Sequence, residues 1–431
     1  MRLLKDFKQN FLLLTALSLT FGLFNTAIAE EETPPESFWN RSTLSGNWGG
    51  ARQKLADHGV NFEFIYTGEV GGNISGGLAK DPDYLDNIDL VMDLDSEKLV
   101  GYKGGTLHLY GLGNYGASPS EDVGDAQGVS NIDGPDRWTL LEAWYQQNFF
   151  EDRLSILAGL YDVASEFGVL DYSSLFIDSS QGMDPTLSQT GISTFPTGAF
   201  GGRIKVKPWG PIFVQVAVLD AVPGDPADDE KLTIHFSGQE GAVIIDEIGF
   251  LTQDLDESNP YGKFSIGSWY ETAKYDDLED VDGLGNPIQH RNNFGFYGMG
   301  EYQVYREEPA NKDNKQGLGI FARVGYANSK VNQFNYYIGA GANYTGLIPG
   351  RDDDQLGLSL ANVINGGKYK RVQEAAGTPV KSAEYNIDLT YHAQVLGWLA
   401  LQPSMQYIIN PGMTPGVSNA LYLANRFEIN F

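Results

Sequence analysis

Residues 421–431 alternate apolar and polar side chains up to the last position. Leu421, Leu423, Phe427, Ile429 and Phe431 fall on one side, and Tyr422, Ala424, Arg426, Glu428 and Asn430 on the other. Only Asn425 interrupts the apolar row. A period of two is the signature of a strand with two unlike faces. A soluble sandwich and an outer-membrane barrel both produce it. In the barrel the apolar face meets lipid and the polar face lines a lumen.

The other end of the chain separates these readings. Arg2, Lys5 and Lys8 precede the apolar run 11–24, and Ala27-Ile28-Ala29 stands before Glu30. A basic segment, a short apolar segment and a small-x-small site make residues 1–29 an export signal cut after Ala29. No later apolar stretch is long enough to cross a bilayer as a helix. A membrane-spanning reading therefore requires strands closed into a barrel, because lipid leaves backbone polar groups no other partner. Cys is 0, so an exported chain of this length rests on its sheet and core rather than on disulfides. Removing the signal, with its net +2 from Arg2, Lys5 and Lys8 against Asp6, takes the charge from −27 to −29. So acidic a chain, without a basic stripe, is a poor nucleic-acid binder.

Reading by period two gives about sixteen candidate strands. They begin near Val60, Asn87, Gly105, Trp138, Arg153, Gly198, Pro211 and Gly241, then near Tyr261, Asn293, Leu318, Asn335, Asp354, Ala383, Leu399 and Ala420. If the first strand starts in the periplasm, the first five outward connections are long, roughly 15, 20, 35, 20 and 20 residues. The inward ones are mostly short, such as Phe150-Glu151-Asp152 and Pro208-Trp209-Gly210. Alternating short turns and long loops is a porin-type asymmetry that a sandwich has no reason to show. The expected fold is an all-β transmembrane antiparallel barrel over residues 60–431. Residues 30–59 precede it as a periplasmic segment, with a short helix ending at Gly59.

A Lys or Arg facing lipid at mid-membrane costs roughly 2–4 kcal/mol. Arg203, Lys205 and Lys207 are therefore assigned to the lumen, opposite Phe200, Ile204 and Val206. The same logic turns Glu301, Gln303, Arg323, Glu384, Asn386, Asp388, Thr390 and His392 inward, with Gln406 and Arg426 as further lumen-wall candidates. Residues 243–250, apolar on both sides around Asp246 and Glu247, predict a bulge or a shifted boundary. Aromatics at strand ends (Phe149, Phe150, Trp209, Trp269, Tyr270, Tyr344, Trp398, Tyr407) suit girdles at the two interfaces.

A channel of about sixteen strands needs an inward element to be selective. The longest outward connection, residues 164–197, is that element by length. Glu142, Tyr161, Asp162, Glu166 and Asp178 at and near it combine aromatic rings and carboxylates, a set able to stack on a sugar ring while bonding its hydroxyls. A surface loop packed on its own side chains is the alternative.

Several ordered stretches carry a resemblance. They include Trp48-Gly49-Gly50-Ala51-Arg52, Glu142-Ala143-Trp144, Phe149-Phe150-Glu151-Asp152-Arg153-Leu154-Ser155, Ala158-Gly159-Leu160-Tyr161-Asp162-Val163 and Ser165-Glu166-Phe167. Further on stand Phe176-Ile177-Asp178-Ser179-Ser180, Tyr344-Thr345-Gly346-Leu347-Ile348-Pro349-Gly350-Arg351-Asp352 and Leu401-Gln402-Pro403-Ser404-Met405-Gln406-Tyr407. Through these the chain resembles the carbohydrate-selective porins of the OprB family. The resemblance implies a sixteen-stranded outer-membrane barrel passing sugars, glucose-like ones first, by passive diffusion through a charged and aromatic constriction. In one departure, Leu160 stands where the family often has a glutamine before the Tyr-Asp pair.

Other chemistry finds little support. There is no phosphate-binding loop, nucleophile elbow or His/Cys metal spacing, so no cofactor or metal is expected. His58, His108, His235, His290 and His392 are scattered and read as incidental. Paired carboxylates among Glu142, Asp162 and Glu166 could serve a hydrolase, but selectivity groups are their simpler use. Residues 276–283 have the oxygen density for Ca²⁺ without EF-hand spacing, which favours a solvated loop. The expected partners are small sugars, outer-membrane lipid and lipopolysaccharide, and the outer-membrane assembly machinery through Phe431. The residues leave open a general diffusion porin, an adhesin or an enzyme, and also the oligomeric state.

Overall fold

The computed structural model describes residues 37–223, 241–291, 293–311 and 314–431. The signal assigned to residues 1–29 and most of the fourth outward connection lie outside them. Eighteen strands follow in order: β1 (Val60–Gly77), β2 (Pro82–Asp95), β3 (Gly105–Gly116), β4 (Arg137–Phe149), β5 (Leu154–Tyr161), β6 (Ala199–Trp209), β7 (Ile212–Asp220), β8 (Ala242–Leu251) and β9 (Gly262–Glu271). Then come β10 (Tyr275–Val281), β11 (Pro287–His290), β12 (Asn293–Arg306), β13 (Gly317–Ala327), β14 (Phe334–Thr345), β15 (Gln355–Asn365), β16 (Ala383–Leu396), β17 (Leu399–Ile409) and β18 (Ser418–Asn430). Sixteen of them form a closed antiparallel barrel in which β1 pairs with β18, and β10 and β11 form a separate hairpin. Among the described residues no helix is long and apolar enough to cross a membrane; the barrel crosses with strands.

The alternation behaves as the lipid-and-lumen argument requires. In β6, Ile204 is half exposed on the outer face, whereas Arg203 is buried inside. In β16, Tyr385, Ile387 and Leu389 face out while Glu384, Asn386, Asp388 and Thr390 are buried. Two expectations fail here. β8 has no bulge: its register with β7 and β9 is unbroken, and Val243, Ile245 and Glu247 point inward in turn. Its inner face is apolar because it is covered, not wet. Trp269 is no girdle residue, since its ring is buried on that same inner face.

The first outward connection is also much shorter than expected. It spans residues 78–81, because β1 pairs with β2 up to Gly72 and Pro82 and then continues along β18 to Gly77. By contrast, residues 117–136 and 162–198 are long and both turn inward.

The seam between first and last strands is locked, at the barrel end opposite the long loops, by the segment before β1. Its helix, Ala51–Asp57, runs to His58, and Gly59 takes a φ of +88° that suits glycine. Arg52 Nη2 donates to the Phe431 carbonyl at 2.5 Å, and the Leu44 amide donates to Asn430 O at 2.6 Å. The Phe431 amide donates to Phe64 O at 2.8 Å, and the two rings stack at 4.4 Å. The helix therefore braces the rim beside the first strand.

Candidate constriction of the channel

The third outward loop, residues 162–198, is built by its own aspartates. Asp162, Asp178 and Asp184 each stand before a short helical turn and accept from the backbone amide two residues on, at 2.8, 3.0 and 2.8 Å. That is N-capping, repeated three times. Between the caps the loop presents Val163, Phe167, Leu170, Phe176 and Leu187 to the inner wall. There they pack with Ala217, Leu219, Val243, Ile245, Trp269, Met299 and Phe321. The close fit depends on small wall residues. A Cβ on Gly357 would lie 2.6 Å from Leu175 and 2.8 Å from Phe176.

Inward carboxylates then satisfy the loop backbone. Glu142 accepts from Asp162 N at 3.0 Å, and Glu247 from Gly168 N at 3.0 Å. Glu301 accepts from Asp171 N and Tyr172 N at 2.9 and 2.8 Å, and Asp388 from Ile177 N at 3.3 Å. Arg323 and Gln402 work in the opposite sense, donating to the carbonyls of Gly168 and Leu175 at 2.6 Å each. A buried peptide group must be paired, and the wall supplies the pairs.

The second loop, residues 117–136, is held in the same way, which the sequence reading did not anticipate. Val123 and Val129 pack on Ile408, Ala420, Tyr422 and Ala424. Glu384 accepts from Ala126 N at 2.9 Å and from Gln127 Nε2 at 3.1 Å, and Gln406 Nε2 donates to Val129 O at 2.7 Å. The two loops join edge to edge through Ser179 N to Gly128 O at 2.9 Å and Asn131 N to Ile177 O at 2.8 Å.

Apart from Arg426, the candidate residues therefore divide into two groups. Arg323 and Gln406 are buried on the wall behind the inward loops and hold them there, and Asp178 is buried within the third loop, where it caps its own helical turn. Glu142, Tyr161, Asp162, Glu166, Arg203 and Lys205 come together where the third loop leaves β5. Arg203 donates from Nε and Nη2 to the two Glu166 carboxylate oxygens at 2.7 and 2.9 Å, from Nη2 to Gln146 Oε1 at 2.6 Å and from Nη1 to Ser155 Oγ at 2.8 Å. Tyr161 OH donates to Glu166 at 2.7 Å. Burial pushes the Glu166 carboxyl up, but the hydrogen bonds and charge of Arg203 outweigh it and hold it below its ordinary value. Asp162 has only backbone donors and the Glu142 charge nearby, so burial pushes it up to about 7. Arg426 stands apart on β18, donating to Glu69 at 2.7 Å.

Below the loop root lies a group that scattered histidines did not announce. His108 stacks on Trp144 at 4.5 Å, with the ring planes 12° apart. His108 Nδ1 is 2.7 Å from Asp93, and Trp144 Nε1 donates to Glu142 at 2.8 Å. Register was the available signal: His108 pairs with both Asp93 and Trp144 across β2, β3 and β4. Leu160, the departure noted above, points to the outer face. It pairs with the outward Phe200 and so lies away from the lumen.

This is a barrel narrowed by docked loops, with a charged and aromatic rim. A family model described as carbohydrate-selective porin, OprB family, matches residues 79–431. The chain belongs to that family. Porin B of Pseudomonas aeruginosa is 28% identical over 441 residues, covering 95% of each chain. The high-pH structure of Pseudomonas putida OprB superposes with a TM-score of 0.82 at 25% identity, over 92% of this chain and 100% of that one. The outer membrane channel DcaP of Acinetobacter baumannii shares the fold alone, with a TM-score of 0.54 at 11% identity. This OprB-family member is an outer-membrane porin for carbohydrates, a channel rather than an enzyme.

Proposed function

We propose that glucose-like monosaccharides diffuse passively along the wall formed by β18 and β1 to β4, past the root of the third loop. Ser165 is exposed there, and Glu166, Lys205, His108, Trp144, Asp93 and Arg426 are half buried on inward-facing positions. The observation that carries this reading is the Arg203–Glu166–Tyr161 cluster. It fixes the loop root while neutralising its main charges locally, which leaves a rim that bonds hydroxyls without demanding a charged solute. The His108–Trp144 stack adds an aromatic face of the kind that packs on a sugar ring. Weak contacts suit the task, since a solute held tightly cannot leave.

The same geometry supports passage without catalysis. Glu142 and Asp162 both accept backbone amides, so neither is set aside as an acid or base. Contact with lipid and lipopolysaccharide follows from the outer face, and Phe431 is the proposed element read by the assembly machinery. Swelling of liposomes carrying the protein tests the function. Neutral monosaccharides should enter faster than trisaccharides of equal osmolarity. Equal rates for all sizes would favour a general pore, and no swelling at all would remove the channel reading.

A further inference from the structure

Outward of the constriction, the second and third loops leave a cleft of about 420 Å³ between residues 126–133 and 179–195. It reaches Phe334 at the start of β14 and Ala164 at the root of the third loop, so it adjoins the narrow passage. A volume of this size falls within the usual range for small-molecule sites, roughly 300–1,000 Å³.

Its lining favours one class of ligand. Gln127, Asn131, Ser188 and Thr194 supply amides and hydroxyls, while Phe195 and Phe334 supply rings. Among the described residues no Lys, Arg or His lines it, and the one carboxylate among them, Asp133, already accepts from Ser118 Oγ at 2.6 Å. The cleft therefore offers little to an anion or a cation. Two amide oxygens there lack donors. Gln127 is 5% exposed and gives Nε2 to Glu384, but its Oε1 has no partner. Asn131 gives Nδ2 to Phe176 O, and its Oδ1 likewise has none. Both oxygens are buried, with almost no surface open to the cleft, so the groups that meet a ligand's O–H are the hydroxyls of Ser188 and Thr194, and the rings call for an apolar C–H face.

We propose that this cleft is an outer subsite that binds a neutral sugar before it enters the constriction. The proposal rests on the carbohydrate passage argued above and adds a second weak site in series with the first. Sites in series let a channel attract its solute without trapping it. Sugar arriving from outside meets the cleft before the narrow rim, so occupancy should depend on the side of addition.

The test uses single channels in planar bilayers, with glucose titrated on either side and block of the ion current recorded. Ser188→Trp and Thr194→Trp, placed on different parts of the lining, each fill the cleft; heat-modifiable migration checks that each variant is folded. From the outer side, the half-blocking glucose concentration should rise about tenfold in either folded variant, with open-channel conductance kept within about twofold. Block unchanged from the parent in a folded variant overturns the subsite, including the case in which the cleft holds only water. If the parent passes glucose in liposomes but the variants block as it does, only the cleft assignment falls. If the parent neither passes nor is blocked by glucose, the sugar reading falls and the cleft with it.

Discussion

Arg203 offers the sharpest perturbation, because its side chain is 1% exposed and its partner Glu166 is 25% exposed. Replacing Arg203 with Met removes both bonds to Glu166 and those to Gln146 and Ser155, and leaves a carboxylate without its counter-charge. Breaking a fully buried pair from one side costs about 3–5 kcal/mol. The partial exposure of Glu166 argues for the lower part of that range or below it, about 2–3 kcal/mol. The loss falls on the loop root, since the strand ladders on both sides of Arg203 stay intact. At about 1.4 kcal/mol per factor of ten, the undocked state of the root should gain roughly 30- to 140-fold in population. Single-channel recording should then show frequent excursions to larger conductance in Arg203→Met, with the barrel still heat-modifiable. The double variant Arg203→Met with Glu166→Met should be nearly as quiet as the parent, because apolar replacement of both partners removes the unpaired charge. A quiet single variant, or a double as noisy as the single, would refute the claim that this pair holds the loop.

Three further outcomes follow. Shortening residues 164–197 should raise single-channel conductance and flatten the preference for monosaccharides over oligosaccharides in liposome swelling; an unaltered size cutoff counts against the loop as the narrowing element. Deleting Phe431 removes its bond to Phe64, the ring stack and the carbonyl held by Arg52, and should lower the yield of heat-modifiable protein; a normal yield would make the residue incidental. The third concerns pH. Burial pushes Asp125 up to about 6, Asp162 up to about 7 and Asp178 well above its ordinary value. A carboxyl with a raised folded pKa binds its proton more tightly in the docked loop, so that support is present near pH 4 and fades as pH rises toward 7. Glu166 acts in the opposite sense, and its support is lost only below the ordinary carboxylate range. Current noise should therefore increase from pH 5 to pH 8, and a decrease over that window would contradict the assignment.

Strand number and facing were legible because lipid tolerates only one kind of side chain. What lies on the inner side was not. Alternation says that Arg323, Gln406 and Glu384 point inward, but it cannot tell a wet wall from one covered by a loop, and here it is covered. Val243 and Ile245 looked irregular for the same reason: their apolar side chains match Phe167 and its neighbours some 80 positions earlier in the chain. The second loop escaped notice because its contacts are mostly backbone to wall, and such bonds leave no pattern in composition. The expected second strand began near Asn87, yet Gly71 and Gly72 pair with both β2 and β18, so the first two strands run further than alternation alone marks.

The hairpin of β10 and β11 carries most of the acidic run 276–283, weighed above as a calcium site and read as a solvated loop. Its Asp277 receives Lys368 Nζ at 2.7 and 2.8 Å and His290 Nε2 at 2.8 Å, while Lys368 also reaches Asp280 at 2.6 Å. Arg371 grips Glu279 through two bonds of 2.7 and 2.6 Å. Lys368 and Arg371 both belong to the helix Gly367–Ala375 of another outward connection. The chain thus brings its own cations to this brace instead of recruiting a divalent ion from the surroundings. Chelators and mineral-poor water should leave the brace standing, whereas brine should loosen the exposed Arg371–Glu279 pair and leave the more buried Lys368–Asp277 pair largely in place, since salt screens exposed charges most.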